Sequence, residues 1–390
     1  MSNIDFLIVG SGLYGATMAR LLWEAGYNCL ILDQRPHIAG NIYSEQINGY
    51  DKHMYGPHIF HTSLKCVIDF VNKYSKWCEY QQNTLATDGE KLYHLPFNMN
   101  TFYDVFGCTK IEEAKEIIDK EIQEYKEQKQ KEIKSGVTPI YNLEEWCMLS
   151  VGKTIYEKLI KPYTEKQWNK KCTELPQEII KRLPLRFSFN NNYFNDTFQG
   201  IPEEGYTKFV ENIIGNIPYL CDVKFEAQDY EYWSNQVKYN IIYCGAVDEL
   251  LNYELGELEW RSLRFEDKVY KYNGYNGQGC AILNDVSTNP WTRTIEHMWF
   301  KQPLVDYESI ITTEYPDDWE RGKERYYPIN NEKNNNKYQE YVELLEKRMP
   351  LIILGGRLGK YRYFDMDDTI YEAMEDANTI IKTDFRINHA

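Results

Sequence analysis

Four consecutive apolar residues, Phe6 to Val9, run into Gly10-Ser11-Gly12-Leu13-Tyr14-Gly15, after which apolar residues recur at helical spacing from Ala16 to Ala25. That order predicts a buried strand, a glycine turn and a helix. The next apolar run, Cys29 to Leu32, reads as a second strand ending at Asp33. Residues 64–74 read as a short helix, and Tyr80 to Leu95 as two strands joined at the turn pair Asp88-Gly89. Ile111 to Ile133 has acids early, lysines late and apolar residues at helical spacing, the pattern of a helix with one solvated charged face. Ser135 to Pro139 ends it, and Leu143 to Ile160 reads as further helix. Strands are expected over Phe187–Tyr193, Tyr219–Phe225 and Val237–Cys244, and the short alternating runs from Trp260 to Tyr315 predict an antiparallel sheet. Beyond a polar tract, Asn330 to Lys337, that reads as a linker, come a strand at Leu351–Leu354, a close-approach turn at Gly355-Gly356 and a last helix opened by Asp367-Asp368-Thr369 and running through Lys382.

Strand, glycine turn and helix therefore occur at both ends of the chain, which predicts an α/β protein with a discontinuous Rossmann-like dinucleotide domain (1–76, 206–250 and 340–390). Two regions are inserted into it. One is helical, 97–182, and the other is an antiparallel sheet domain from 77–96, 183–205 and 251–339. In the glycine loop, Gly10 permits the tight turn, Gly12 lets the backbone approach a pyrophosphate and Gly15 lets the helix pack close to the sheet. Asp33, 18 residues past Gly15, stands where a carboxylate can accept from an adenosine ribose. After Arg35, Gly40 and Asn41 form a second turn that allows close backbone approach. The segment Tyr55 to His61 places His58 and His61 three apart, with Ile59 between them. No acid or thiol accompanies them as for a metal, and Pro57 argues against a helix, so a cofactor-contacting loop is the better reading.

Composition narrows the class. The 390 residues are 43% hydrophobic and 26% charged, as in an ordinary globular protein. A net charge of −15 argues against a general nucleic-acid or membrane-surface binder, though not against a local basic pocket for a phosphorylated ligand. Nine cysteines show no C-x-x-C pair and no zinc-ligand spacing, which suits reduced thiols in the cytoplasm. No apolar run approaches the roughly 18 residues of a membrane span, and the chain begins without a basic segment and apolar h-region, so no membrane insertion is expected. Tyrosine is the outlier at 33 residues; most suit amphipathic surfaces, and a sugar- or base-binding cleft would use the same chemistry.

A series of ordered motifs then bears on family. They include Gly10-Ser11-Gly12-Leu13, His58-Ile59-Phe60-His61-Thr62, Leu95-Pro96-Phe97-Asn98-Met99-Asn100-Thr101-Phe102, Tyr163-Thr164-Glu165-Lys166-Gln167-Trp168 and Ile180-Lys181-Arg182-Leu183-Pro184. Asn191-Asn192-Tyr193-Phe194, Gln199-Gly200-Ile201-Pro202, Thr292 to His297, Tyr326-Tyr327-Pro328, Gly355-Gly356-Arg357-Leu358 and Tyr363-Phe364-Asp365-Met366 continue the series. With these the chain resembles the bacterial UDP-galactopyranose mutases from end to end. The resemblance implies a bound FAD, active when reduced, and interconversion of UDP-galactopyranose and UDP-galactofuranose by covalent catalysis through flavin N5 without net redox. It further implies a homodimer and a product used for cell-surface glycans.

The same resemblance assigns residues. Arg182 and Arg293 match the pyrophosphate arginines, Arg182 on a loop at about 174–186 that closes over substrate. Tyr163, Tyr193, Tyr327 and Tyr363 match positions that stack on uracil or bond the phosphates, and Asn83 and Trp168 match the substrate cleft. His61 is expected beside the sugar, where it is the candidate for the choice between sugars, and with Arg182 and Arg293 it makes up the expected catalytic set. Flavin contacts are expected from Gly10, Gly12, Leu13, Gly15, Asp33, Arg35, Gly40, Asn41, His58, Ile59, Val223, Gly356, Arg357, Tyr363, Asp365 and Met366. Departures are Ala39 in place of a common glycine, Phe364 in place of a common tyrosine, and Gly359-Lys360 in place of a common Ala-Glu pair. Alternatives stay open: a mutase acting on UDP-N-acetylgalactosamine or on both sugars, an amine-oxidase-type flavin oxidoreductase, and a non-catalytic nucleotide-sugar binding protein.

Overall fold

The computed structural model describes residues 4–47, 49–134, 142–180, 185–271, 277–301 and 308–388. They divide into two compact units, the first drawn from 1–80, 196–262 and 318–390 and the second from 81–195 and 263–317.

The first unit is built on five parallel strands in the order Tyr219–Leu220, Cys29–Leu32, Phe6–Val9, Ile241–Tyr243 and Ile352–Leu354. Phe6–Val9 lies at the centre with all four residues buried, as its unbroken apolar run requires. The helix Leu13–Glu24 buries Leu13, Tyr14, Ala16, Met18, Ala19 and Leu22. The C-terminal helix runs Met366–Asn388, longer than expected, and buries Ile370, Ala373 and Ala377 along one stripe. Helix Tyr206–Ile214, which the sequence reading did not identify, buries Tyr206, Phe209, Val210, Ile213 and Ile214. Phe60–Thr62, Phe198–Pro202 and Trp77–Glu79 form a separate three-stranded sheet, so the last two leave the substrate sheet to which the sequence reading joined them. The polar tract at 330–337 is no linker. Asn331 caps helix Glu332–Arg348 by accepting from the Asn334 N–H, and Tyr341 and Leu345 bury its inner face.

The second unit joins a helical cluster to a sheet. Its strands run in the order Trp260–Lys271, Glu308–Asp318, Arg293–Glu296, Ile282–Asp285, Thr84–Thr87 and Leu92–Leu95, the first of them starting in the first unit, where Trp260 and Arg261 pair with Tyr327–Pro328. Thr84–Thr87 and Ile282–Asp285 are parallel, so the sheet is mixed rather than purely antiparallel. Helices Met99–Phe106, Ile111–Lys134, Leu143–Ser150 and Lys153–Ile155 follow, the last continuing through a wide turn at Tyr156–Ile160 into Lys161–Trp168. Their core includes Met99, Phe102, Leu143, Cys147, Ile155 and Cys172. The predicted helix end at 135–139 lies outside the described residues. Among those residues no helix is long and apolar enough to cross a membrane.

One expected strand, Phe187–Tyr193, is irregular instead. Its asparagines spend their side chains on local backbone: Asn190 Oδ1 accepts from the Asn192 N–H at 2.9 Å. Asn98 completes the knot. Its Oδ1 caps helix Met99–Phe106 by accepting from the Asn100 and Thr101 N–H groups, and its Nδ2 donates to the Asn190 carbonyl and Asn191 Oδ1, both at 2.8 Å. Asn98→Ala removes the cap and leaves the buried Thr101 N–H without its acceptor, so urea unfolding followed by circular dichroism should show a loss of about 1–3 kcal/mol. Asn98→Asp, which keeps the cap and loses the donors, should lie between.

Candidate functional site

The glycine loop of the first unit is shaped by three backbone approaches. A Cβ on Gly15 would stand 1.9 Å from the Gly10 carbonyl oxygen, and one on Gly10, whose φ is +109°, would stand 2.9 Å from Cys244 Cβ. Those two glycines are required by the fold itself. Gly12 differs, because a Cβ there meets only Gly40 Cα, at 3.8 Å, and otherwise faces open space. Gly12 is the N-cap of helix Leu13–Glu24 with no side-chain cap bond, so the first amides of the helix face the cradle between Gly12 and Gly40. Leu13 and Ile59 are buried, which leaves their backbones for any contact.

At the end of the second strand, Asp33 Oδ2 accepts from the Ser11 N–H and Oγ, at 2.7 and 2.5 Å, and Oδ1 accepts from the Arg35 N–H at 2.9 Å. Oδ1 thus keeps acceptor capacity suited to a ribose hydroxyl. The Val223 N–H donates to the Asp33 carbonyl, which places Val223 beside this acid. Arg35 lies 4.4 Å from the Tyr55 ring centroid, donates to Asn41 Oδ1 and pairs with Glu324, while its buried Nη1 has no partner among the described residues. Room beside Gly12 for a ligand to approach the backbone, uncapped helix amides and an orphaned arginine nitrogen fit a dinucleotide with its pyrophosphate at the helix N-terminus.

The far glycines make a close approach, as a Gly355-Gly356 turn was expected to. A Cβ on Gly355 would lie 2.1 Å from Tyr14 Cε1 and one on Gly356 3.3 Å from Tyr14 Cβ, so the close approach there is to a side chain of the glycine loop. The Tyr14 hydroxyl donates to Asp376 at 2.5 Å, and Lys360 bonds Asp376 and Glu372, each at 2.6 Å, so the unusual Lys360 belongs to an ion-paired knot. Burial and the Asp376 carboxylate push the Tyr14 phenol well above its ordinary pKa. Arg357 donates to the Phe364 carbonyl at 2.6 Å and lies 4.6 Å from the Tyr363 ring centroid. Tyr363 donates to Asp365 Oδ1 at 3.0 Å and stacks near Tyr327, with centroids 6.0 Å apart, while Met366 opens the helix beyond. The structure therefore gathers Tyr327, Arg357, Tyr363 and Asp365.

His61 is held by a residue that sequence reading missed. Its Nδ1 lies 2.8 Å from Asp196 Oδ2, and Ser63 donates to the other oxygen of the same carboxylate. His58 is anchored through its backbone, the N–H donating to Nδ1 of the buried His53 at 3.1 Å. Among the described residues no group of three or more His, Cys, Asp or Glu side chains is placed to hold a metal ion.

In the second unit, the Tyr193 N–H donates to the Gln82 carbonyl at 2.7 Å, which brings Tyr193 next to the exposed Asn83. Tyr163 and Trp168 ride on helix Lys161–Trp168, half-buried against the helical core. Arg293 sits directly across the strand pair from Glu314, its Nε 2.9 Å from Oε2 of a carboxylate that is fully buried. The angle is off that of a hydrogen bond, so this is an ion pair that orients the guanidinium. Glu314 was missed because nothing in sequence spacing pairs residues 21 apart on different strands. Arg182 lies outside the described residues.

A family model described as UDP-galactopyranose mutase matches residues 158–363, and one described as an NAD(P)-binding Rossmann-like domain matches residues 8–74. The chain is 36% identical to a probable UDP-galactopyranose mutase of Klebsiella pneumoniae, over 98% of its own length and 96% of the relative. It is 33% identical to a dTDP-fucopyranose mutase of Escherichia coli, over 96% of its own length and 98% of the relative. Among solved structures it is similar to reduced UDP-galactopyranose mutase, with a TM-score of 0.73 at 16% identity over 98% and 95% of the two chains. It is also similar to putrescine oxidase, with a TM-score of 0.57 at 10% identity over 97% and 99%. At those identities the structural likeness shows the fold alone.

Two substitutions separate fold from binding. Gly12→Ala has a permitted φ of −64° and room for its methyl, so it should leave the melting temperature unchanged while emptying the cradle of flavin, read as visible absorbance per mole of protein. Retained flavin would remove Gly12 from the site. Ala39, buried at φ +76°, carries the strain of a side chain in the left-handed region. Ala39→Gly should therefore raise stability by about 0.5–1 kcal/mol in thermal unfolding.

Proposed function

This chain belongs to the UDP-galactopyranose mutase family, and on that premise we propose that it interconverts UDP-galactopyranose and UDP-galactofuranose with the help of reduced FAD and without net redox change. The observation that carries the reading is Arg293, a largely buried guanidinium held at 2.9 Å by the buried Glu314. Such a fixed cation suits a pyrophosphate that must leave the sugar and return to it. When bound, a reduced flavin supplies a nucleophilic nitrogen, N5, for the anomeric carbon.

The chain's own residues do the rest. The Gly12–Gly40 cradle and the amides opening helix Leu13–Glu24 hold the cofactor pyrophosphate, with Asp33 on the ribose and the Gly356-Arg357 turn at the isoalloxazine end. Asp365, Met366, His58 and Ile59 complete the flavin contacts. Arg293, joined by Arg182, carries the negative charge that develops on departing UDP. Tyr163 and Trp168 offer flat faces to the uracil, while Tyr193, Tyr327, Tyr363 and Asn83 supply hydroxyl and amide groups to phosphates and sugar. His61, fixed by Asp196, contacts the sugar and sets its choice. We assign the reaction to a cytoplasmic homodimer whose product feeds cell-surface glycans.

The Escherichia coli relative supports a second reading, dTDP-fucopyranose as substrate. The ring isomerisation is the same; the substrates differ in a base methyl, a ribose hydroxyl and the 6-hydroxyl of the sugar. A site built to bond a hydroxyl rejects the ligand lacking it far more strongly than an apolar pocket rejects a methyl. UDP-N-acetylgalactosamine is the further candidate.

Incubating dithionite-reduced and oxidised protein with UDP-galactofuranose, UDP-N-acetylgalactosamine and dTDP-fucopyranose, with chromatography of the products, tests all three. The expected outcome is conversion of UDP-galactofuranose by the reduced protein alone and no net consumption of dithionite. Equal rates in both redox states would sink the mechanism, and faster turnover of either other sugar nucleotide would move the assignment to it. Arg293→Ala should keep its flavin and lose turnover by at least about one to two decades.

A further inference from the structure

Lys166 is largely, though not fully, buried in the second unit with all three of its ammonium protons used. It donates to Asp285 Oδ1 at 3.0 Å, to the Asp285 carbonyl at 3.1 Å and to the Trp291 carbonyl at 2.8 Å. Its side chain is 13% exposed and that of Asp285 5%. The acceptors belong to the turn between strands Ile282–Asp285 and Arg293–Glu296. Asp285 organises that turn from inside: Oδ1 accepts from Ser287 N–H and Oγ, Oδ2 accepts from Asn289 Nδ2 at 2.9 Å, and the Asp285 N–H donates to the Thr292 carbonyl. Burial alone would raise the Asp285 carboxyl pKa, but the bonds from Asn289, Ser287 and Lys166 hold it below the ordinary value.

The two elements joined at this point have separate tasks in the proposed reaction. Lys166 follows Tyr163 by three residues and precedes Trp168 by two, on the helix assigned to the uracil; Trp291 precedes Arg293 by two, on the strand assigned to the pyrophosphate. We propose that Lys166 is a positioning residue that sets the nucleotide-base helix against the strand of Arg293, so that base and pyrophosphate are gripped at the spacing of one UDP molecule. The proposal rests on the mutase reading of the previous section. It gives a buried charge a task beyond stability, since a methionine of similar length would fill the space without fixing the register.

The test is a double-mutant cycle on UDP affinity, measured with UDP alone by quenching of tryptophan fluorescence in the flavin-loaded protein. Lys166→Met, combined with Asp285→Asn so that no unpaired carboxylate stays buried, should weaken UDP binding about tenfold in the Arg293 protein. In an Arg293→Ala background the same change should cost less than about twofold, because relative placement matters only when both ends are gripped. The KM for UDP-galactofuranose should rise in step with the UDP dissociation constant. Equal losses in both backgrounds, or no loss, would overturn the proposal. Lys166→Arg keeps a cation for Asp285 but cannot place three donors at one point; carried through the same cycle, it decides the matter if the methionine variant fails to fold. A wild-type protein that neither binds UDP nor isomerises the sugar would instead remove the mutase reading.

Discussion

The first unit depends on how closely its backbone can pass itself at the C-terminal ends of its central strands. Gly15 lies against the Gly10 carbonyl, Gly10 against Cys244, and Gly355 against the Tyr14 ring, each at a separation that a single methyl would forbid. These contacts tie the glycine loop to the strands at 241–243 and 352–354, so residues hundreds of positions apart in sequence are fixed to one turn. Once that packing is in place, Gly12 is left facing space rather than protein. The cradle is what remains after the neighbouring glycines have been consumed by packing, and its position is as rigid as the sheet beneath it.

Charge is handled by the same economy of position. Arg35 is shared by Asn41, Glu324 and the face of Tyr55, Arg357 by a carbonyl and the face of Tyr363, and Arg293 by Glu314. A buried guanidinium without a partner would be costly, and one with a carboxylate fixed on the other strand has its plane set before any ligand arrives. Preorganisation of this kind avoids the entropy of ordering a long side chain at the moment of binding.

Local pattern made the parallel sheet legible: Phe6–Val9 and Cys29–Leu32 are short apolar runs ended by turn residues, and both form as expected. The packing tasks of Gly10 and Gly15 were also readable, since each follows from its place in the loop. The failures have a common cause. At 187–193 aromatic residues suggest a strand, but asparagine side chains compete successfully for the backbone. At 330–337 a polar composition suggests a linker, yet a cap at Asn331 and a few buried residues suffice for the helix Glu332–Arg348. Asp196, Glu314 and Asp285 are partners of His61, Arg293 and Lys166 across separations of 135, 21 and 119 residues, and no periodicity encodes such pairs. Candidate residues could therefore be picked from the sequence by type, and the acids paired with them in the fold could not.

Those acids bear on how a chain of net charge −15 could take the anionic nucleotide proposed for it. Surface repulsion is damped beyond the screening length of about 8 Å at physiological salt, so the fields that matter are those of groups inside the site. There, Arg293 is compensated by Glu314 and Lys166 by Asp285, so neither presents the full field of a free cation. What the pairing provides is direction: a guanidinium edge held by its carboxylate, and a helix held by its ammonium, can each be aimed only one way. In the proposed reaction, where the nucleotide is released and recaptured within one catalytic cycle, a strong undirected field would hold leaving and returning states alike, which lowers no barrier between them. Oriented, partly neutralised cations discriminate by geometry instead, and geometry is what changes as a glycosidic bond to a phosphate breaks and re-forms.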